Sequence, residues 1–146
     1  MNIEEAVRLA LANTWAMYFK AHSFHWNVRG PLFSQFHTFF GEIYDDAHDT
    51  VDVLAERLRT LGVLAPVSLD EIVRGSSISF TGSPSAPEMI VQLIDANDAV
   101  IESLKAANTA AVDAGNDGLA NTLQGRLDIH QKWGWMLSAY IEGGAE

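Results

Sequence analysis

Apolar side chains fall at Phe36, Phe40, Ile43, Ala47, Val51, Leu54, Leu58 and Leu61, every step three or four residues. Such spacing closes on one face of an α-helix. A strand would send every other side chain to the opposite face and leave the set unburied. The spacing predicts one helix from about Pro31 to Leu61, stopped at Gly62, where a C′ glycine suits the turn. At 1.5 Å per residue it is about 45 Å long. An apolar stripe of that length is buried only against other helices of similar length, so the chain is constrained to a long helical bundle.

Three further long helices are expected. The first runs from about Asn2 to Val28, with Asn2 as cap and Glu4 and Glu5 at its positive end. It is apolar on two flanks, through Leu9, Ala12, Trp15, Ala16 and Phe19 and through Ile3, Val7, Ala10, Met17 and Phe24. A second buried face in so short a chain points to contact with another subunit. The third is expected from Pro87 to about Ala114, and the fourth from about Leu119 to Ile141, ended by Gly143-Gly144. Residues 62–86 are rich in Gly, Ser and Pro, and Ser68-Leu69-Asp70-Glu71 fits a capping box opening a short helix to Val73. A connection this long can traverse the whole bundle. The expected fold is all-α: a single domain, 1–146, of four helices with a long crossover between the second and third that carries a short extra helix.

Charge and composition narrow the function. The net charge of −10 repels phosphate backbones and attracts cations. With no cysteine, a metal must be held by His, Asp, Glu or backbone oxygen. Glu4 and Glu5 stand where a secretory signal would be basic, and no apolar run approaches the roughly 18 residues of a membrane span. The expectation is a cytoplasmic protein.

The chemistry-bearing residues lie around the second helix. Asp45, Asp46, Asp49 and Asp52 crowd carboxylates at helical-neighbour spacing, with no Lys or Arg among them. Each such pair costs a few tenths of a kcal/mol, a sign that a bound cation reverses. A plain solvated face is the alternative for any one of them. His25 precedes the Arg29-Gly30-Pro31 break and His37 follows it, so a hairpin sets the two imidazoles level. Asp52 and Glu56 share a face, but fifteen residues separate His37 from Asp52, about 22 Å along one helix. No metal bridges that distance within one chain. If two copies of the second helix cross antiparallel near residues 45–46, His37 of one approaches Asp52 and Glu56 of the other, and a two-fold axis creates the site twice. Two imidazoles and two carboxylates suit Fe(II) and leave open positions for an oxidant.

These residues carry a resemblance. His25-Trp26-Asn27-Val28-Arg29-Gly30-Pro31-Leu32-Phe33, then His37, Phe40 and Tyr44, then Asp52, Ala55-Glu56-Arg57 and Leu61-Gly62, resemble the signature of Dps-type mini-ferritins, ferritin-like proteins. The run Asp128 to Leu137 is similar to that family's last helix. The resemblance implies a dodecameric cage built from two-fold dimers. It implies oxidation of Fe(II), usually by hydrogen peroxide, with dioxygen left open, and storage of ferric mineral that limits oxidative damage. Carried over, the iron ligands, and so the catalytic residues of a ferroxidase, are His25, His37, Asp52 and Glu56. By likeness Trp26 lies beside the site and intercepts stray oxidising equivalents. Zinc is a competitor for the site. The chain departs from the pattern at Gly41, where an acidic residue is usual, which places the second iron of a diiron pair in question.

Members that bind DNA use basic tails. Here the first helix is expected to start near Met1 and the last residues, Ile141 to Glu146, are acidic, so DNA binding is not expected. A DNA-coating nucleoid protein of the same fold and a metal-free helical scaffold are the competing readings. His130 reads as a core or interface histidine, and His48 as a solvated one near the two-fold crossing. His22 has no role in the resemblance. Asp45-Asp46-Ala47-His48 is half of an intra-subunit Glu-x-x-His-like pattern without its second copy, which argues against a diiron centre inside the bundle. Asp113 and Asp117 fall near a turn where the resemblance implies an iron pore, though Asn121 replaces one acid often found there.

Overall fold

The computed structural model describes residues 1–142. It contains α1 (Ile3–Asn27), α2 (Phe33–Thr60), α3 (Leu69–Gly75), α4 (Ala86–Asp113) and α5 (Asp117–Glu142). The architecture is the expected all-α, ferritin-like four-helix bundle of α1, α2, α4 and α5, with α3 on the crossover. The expected stop at Gly143-Gly144 and the end of the acidic C-terminal segment lie outside the described residues.

The stripe of α2 is buried as its spacing requires. Phe40, Ile43, Leu54 and Leu58 have no solvent exposure, each contributing roughly 1.5–3 kcal/mol by leaving water. Val51 and Leu61 flank that core. α1 and α2 form one hairpin and α4 and α5 another, and the hairpins meet through α1 and α4. Ser83, Pro84 and Ser85 share a cleft with Asn27, Arg29 and Pro31. The crossover therefore returns the chain to the α1–α2 turn, so α4 starts where α2 starts and runs parallel to it.

Local chemistry sets the ends. Asn2 and Glu5 form a complete capping box on α1, and Ser85 and Glu88 form another on α4. α4 thus opens one residue before Pro87, which sits in the first turn where its missing N–H costs nothing. At α3 only half of the expected box forms: Ser68 accepts from the Glu71 N–H, while the Glu71 carboxylate turns to the Val67 N–H. Gly62 ends α2 with φ +86°, a left-handed conformation that favours glycine. The α1 flank of Leu9, Ala12, Trp15, Ala16 and Phe19 is covered in part by its own chain. α3 packs on α1, with Gly75 against Ala12, and Arg8 bridges to Glu71 and the Leu64 carbonyl. Two buried polar residues, two turns apart on one face of α1, fasten the crossover. Asn13 bonds Ser76, Ser77 and the Ala99 carbonyl, and the Lys20 ammonium donates to the Ser79 carbonyl and to Gln92.

Candidate metal centre

The centre starts from how α1 ends and α2 begins. His25 lies in the last turn of α1, where the backbone carbonyls have no intrahelical partner. The His37 Nδ1–H, from the second turn of α2, donates to the His25 carbonyl at 2.7 Å. In return the His25 Nδ1–H donates to the His37 carbonyl at 2.6 Å. The two rings stack, centroids 3.7 Å apart and planes within 17°. A carbonyl can only accept, so both Nδ1 atoms carry the proton and both Nε2 atoms keep a free lone pair in the neutral form. This is the arrangement that orients a metal-ligating imidazole.

The approach of His25 to α2 depends on Gly41. A Cβ there would lie 3.2 Å from both Cε1 and Nδ1 of His25. The residue that the resemblance marks as a missing carboxylate is the one over which the His25 ring rests. Phe33 stacks on the outer face of His37, with centroids 5.0 Å apart.

Asp52 and Glu56 are exposed on α2. The hydrogen bond with Asp52, then its negative charge, then slight desolvation raise the Glu56 pKa above its ordinary value. The structure thus brings His25 to His37 and Asp52 to Glu56, and keeps the two pairs apart. Among the described residues no three His, Asp or Glu side chains of one chain converge as a metal site. Asp113 closes α4 and Asp117 opens α5, both exposed.

A ferritin-like domain model matches residues 4–145. The chain is 35% identical over 133 residues to the DNA protection during starvation protein of Brevibacillus brevis, covering 90% of this chain and 89% of that one. It belongs to the ferritin-like family as a Dps-type mini-ferritin. This mini-ferritin is also 33% identical to general stress protein 20U of Bacillus subtilis, covering 94% and 95% of the two chains. Its fold superposes on the crystal structure of a Dps protein from Bacillus brevis with a TM-score of 0.90 at 32% identity, over 95% and 94% of the chains. With Dps from Thermosynechococcus elongatus the TM-score is 0.93 at 24% identity, over 99% and 94%, a likeness of fold.

Inside the bundle the mini-ferritin differs from its sequence reading at Asp46. It is not one of four mutually repelling surface acids. Arg126 of α5 donates to both its oxygens, at 2.9 and 2.7 Å, and the Trp133 indole N–H adds a third bond at 3.0 Å. Burial alone would raise the Asp46 pKa, but the bonds from Arg126 and Trp133 and the nearby positive charge outweigh it and hold the carboxyl below its ordinary range. Arg126 also meets Nε2 of His130 at 3.0 Å, and His130 Nδ1 meets Asn97 Oδ1 at 2.9 Å. Beside a guanidinium that only donates, Nε2 must accept, so the buried His130 is the neutral Nδ1–H tautomer. It is a satisfied core histidine, as read from the sequence. The available sign for Arg126 was its place four before His130 on the inward stripe of α5, between Leu123 and Leu137.

His22, which has no part in the resemblance, lies against the candidate centre. Its ring stacks on Tyr44 at 3.8 Å, with planes within 5°. Its Nδ1 is 2.9 Å from the Tyr18 hydroxyl. Burial first, then the neighbouring His25 and His48, lower its pKa. His48 is exposed, as expected, with Tyr18 beside it.

Proposed function

We propose that this protein is a ferroxidase and iron-storage cage. On this reading Fe(II) binds between His25 and His37 of one subunit and Asp52 and Glu56 of its two-fold partner. It is oxidised there by hydrogen peroxide, and the ferric product is stored as mineral. The observation that carries the reading is the reciprocal Nδ1–carbonyl pairing. It leaves two Nε2 lone pairs facing away from their own backbone, and among the described residues no carboxylate of the same chain joins them to complete the shell.

The residues present fit the ion. Two neutral imidazoles and two carboxylates give a nitrogen–oxygen donor set with net charge −2, which suits a divalent first-row cation and leaves positions open. Zinc fits the same donors and would compete. The carboxylate pair has a matching need: Asp52 and Glu56 repel each other without a cation. A second divalent ion at the same site would lack the donor that Gly41 omits, so each site offers side-chain ligands for one iron.

Electron counting shapes the reaction. Hydrogen peroxide takes up two electrons and two protons to become two waters, whereas each Fe(II) yields one electron. Two irons, from paired or successive sites, satisfy one peroxide. A dodecameric cage built from such dimers would keep mineral inside, and the net charge of −10 favours cation uptake over DNA binding.

The test replaces His25 and His37 with Ala. Formation of Fe(III) after addition of ferrous ion and peroxide is followed by absorbance, and assembly by size-exclusion chromatography. The expected result is loss of the fast oxidation phase in an intact assembly. Unchanged initial rates would refute the assignment. A gel shift with duplex DNA at low salt, without divalent ions, is expected to show no complex; retention of the DNA would favour the nucleoid-coating alternative.

A further inference from the structure

Aromatic rings on α1 and α2 form an unbroken contact series leading away from the histidine pair. Tyr44 packs 5.2 Å from the His25 ring, centroid to centroid. His22 stacks on Tyr44 and also lies 6.1 Å from the His25 ring, and Tyr18 reaches both His22, at 5.5 Å, and Tyr44, at 6.2 Å. Beyond Tyr18 stand His48 at 4.8 Å and Trp15 at 5.4 Å. Helical spacing explains the set. Trp15, Tyr18 and His22 step by three and four along one face of α1, and Tyr44 and His48 step by four along α2.

Packing alone would be served by aliphatic residues. A phenol hydrogen-bonded to an imidazole has a further property. Oxidising tyrosine by one electron makes its hydroxyl strongly acidic, so the oxidation proceeds easily only where a base accepts the proton as the electron leaves. Tyr18 has that base in His22 Nδ1, at 2.9 Å, when His22 carries its own proton on Nε2. Tyr140, by contrast, packs against Phe36 and Phe39 of α2.

We propose that Tyr18, coupled to His22 and connected to the centre through Tyr44, is a built-in one-electron donor for peroxide reduction. The inference rests on the reading of the centre as a site of Fe(II) oxidation. It answers the shortfall left by Gly41: one iron supplies one electron and peroxide takes two. In the balanced step, one Fe(II), one Tyr18 phenol with neutral His22, one hydrogen peroxide and two further protons yield one Fe(III), one Tyr18 phenoxyl radical with protonated His22, and two waters. The phenol proton passes to His22 and the O–O bond breaks with both oxygens leaving as water. The second oxidising equivalent is thereby held on the protein and does not leave as hydroxyl radical. A later Fe(II) returns the electron, and a proton restores the phenol.

The experiment uses the assembled full-length protein, loaded anaerobically with less than one Fe(II) per site and mixed with excess hydrogen peroxide. Fe(III) formation is followed by absorbance, organic radicals by freeze-quench electron paramagnetic resonance, and escaping hydroxyl radical by a nitrone spin trap. The expected result is a tyrosyl signal that accompanies Fe(III) formation. It is lost in Tyr18→Phe and in His22→Phe, while hydroxyl adduct rises in both. The chain has three tyrosines, so Tyr44→Phe and Tyr140→Phe complete the assignment. Ring-deuterated tyrosine in the unaltered protein identifies the radical type without any substitution, and an unshifted signal overturns the proposal. Fast Fe(III) formation with no organic radical, or a radical that survives Tyr18→Phe or sits on Trp26, overturns it and leaves the ferroxidase reading standing. Absence of Fe(III) formation in the unaltered protein overturns both.

Discussion

The His25 imidazole rests on the bare backbone of Gly41, and a side chain at 41 would start 3.2 Å from two of its ring atoms. The glycine lets α1 and α2 come close enough for the His25 Nδ1–H to reach the His37 carbonyl, so the absence of a side chain at 41 is part of the site's construction.

Replacing Gly41 with Ala should therefore push the His25 ring outward and strain its 2.6 Å bond to His37. Loss of an orienting partner typically weakens metal binding about tenfold or more. Calorimetric titration of the assembled protein with Zn(II), a redox-silent probe, should show that loss in Gly41→Ala. Equal affinities would mean that this contact does not set the ring.

Asp52 and Glu56 are a like-charge pair that needs a cation. In Glu56→Gln the metal-free protein should melt no lower than the parent, because the repulsion is gone. The rise in melting temperature on adding divalent metal should shrink or vanish. Scanning calorimetry with and without Zn(II) reads both effects, and a full metal-induced rise in the variant would remove Glu56 from the ligand set.

The Arg126–Asp46 pair joins α5 to α2 with its side chains only 10% and 27% exposed. Removing one member leaves the other charge uncompensated beside apolar neighbours. Arg126→Leu should cost roughly 3–5 kcal/mol, with Asp46→Leu/Arg126→Leu costing less than the two single changes together. Denaturant titrations measure this, and strict additivity would show the pair to be uncoupled.

His130 makes stability depend on acid. Burial first, with the Arg126 charge, lowers its pKa to about 3, and Asp46 only partly opposes this. The folded chain thus binds the proton less readily than the unfolded chain, whose histidine titrates near 6.5. The stabilisation is fully present above pH 6.5 and is lost as pH falls towards 3, by up to about 1.4 kcal/mol per unit. Melting temperatures measured from pH 7 to 4 should fall steadily, and less steeply in His130→Gln. Parallel curves for the two proteins would contradict this source.

The bundle was legible along the chain. The three-and-four stripe of α2 permits only a helix, Asn2, Ser85 and Gly62 mark ends through chemistry local to the chain, and the long Ser-, Gly- and Pro-rich link forces a crossover. The same local order brought His25 level with His37, because a short hairpin fixes register. Relationships across the bundle emerged once the helices were packed together. Asp46 reads as one more surface acid until α5 lays Arg126 and Trp133 against it, eighty and eighty-seven residues later. Gly41 reads as a missing ligand until α1 sets the His25 ring on it, and His22 reads as a bystander until it meets Tyr18 and Tyr44. Helical periodicity says which way a side chain faces; what it meets there depends on how separate helices are placed, and that is set by packing of the whole core.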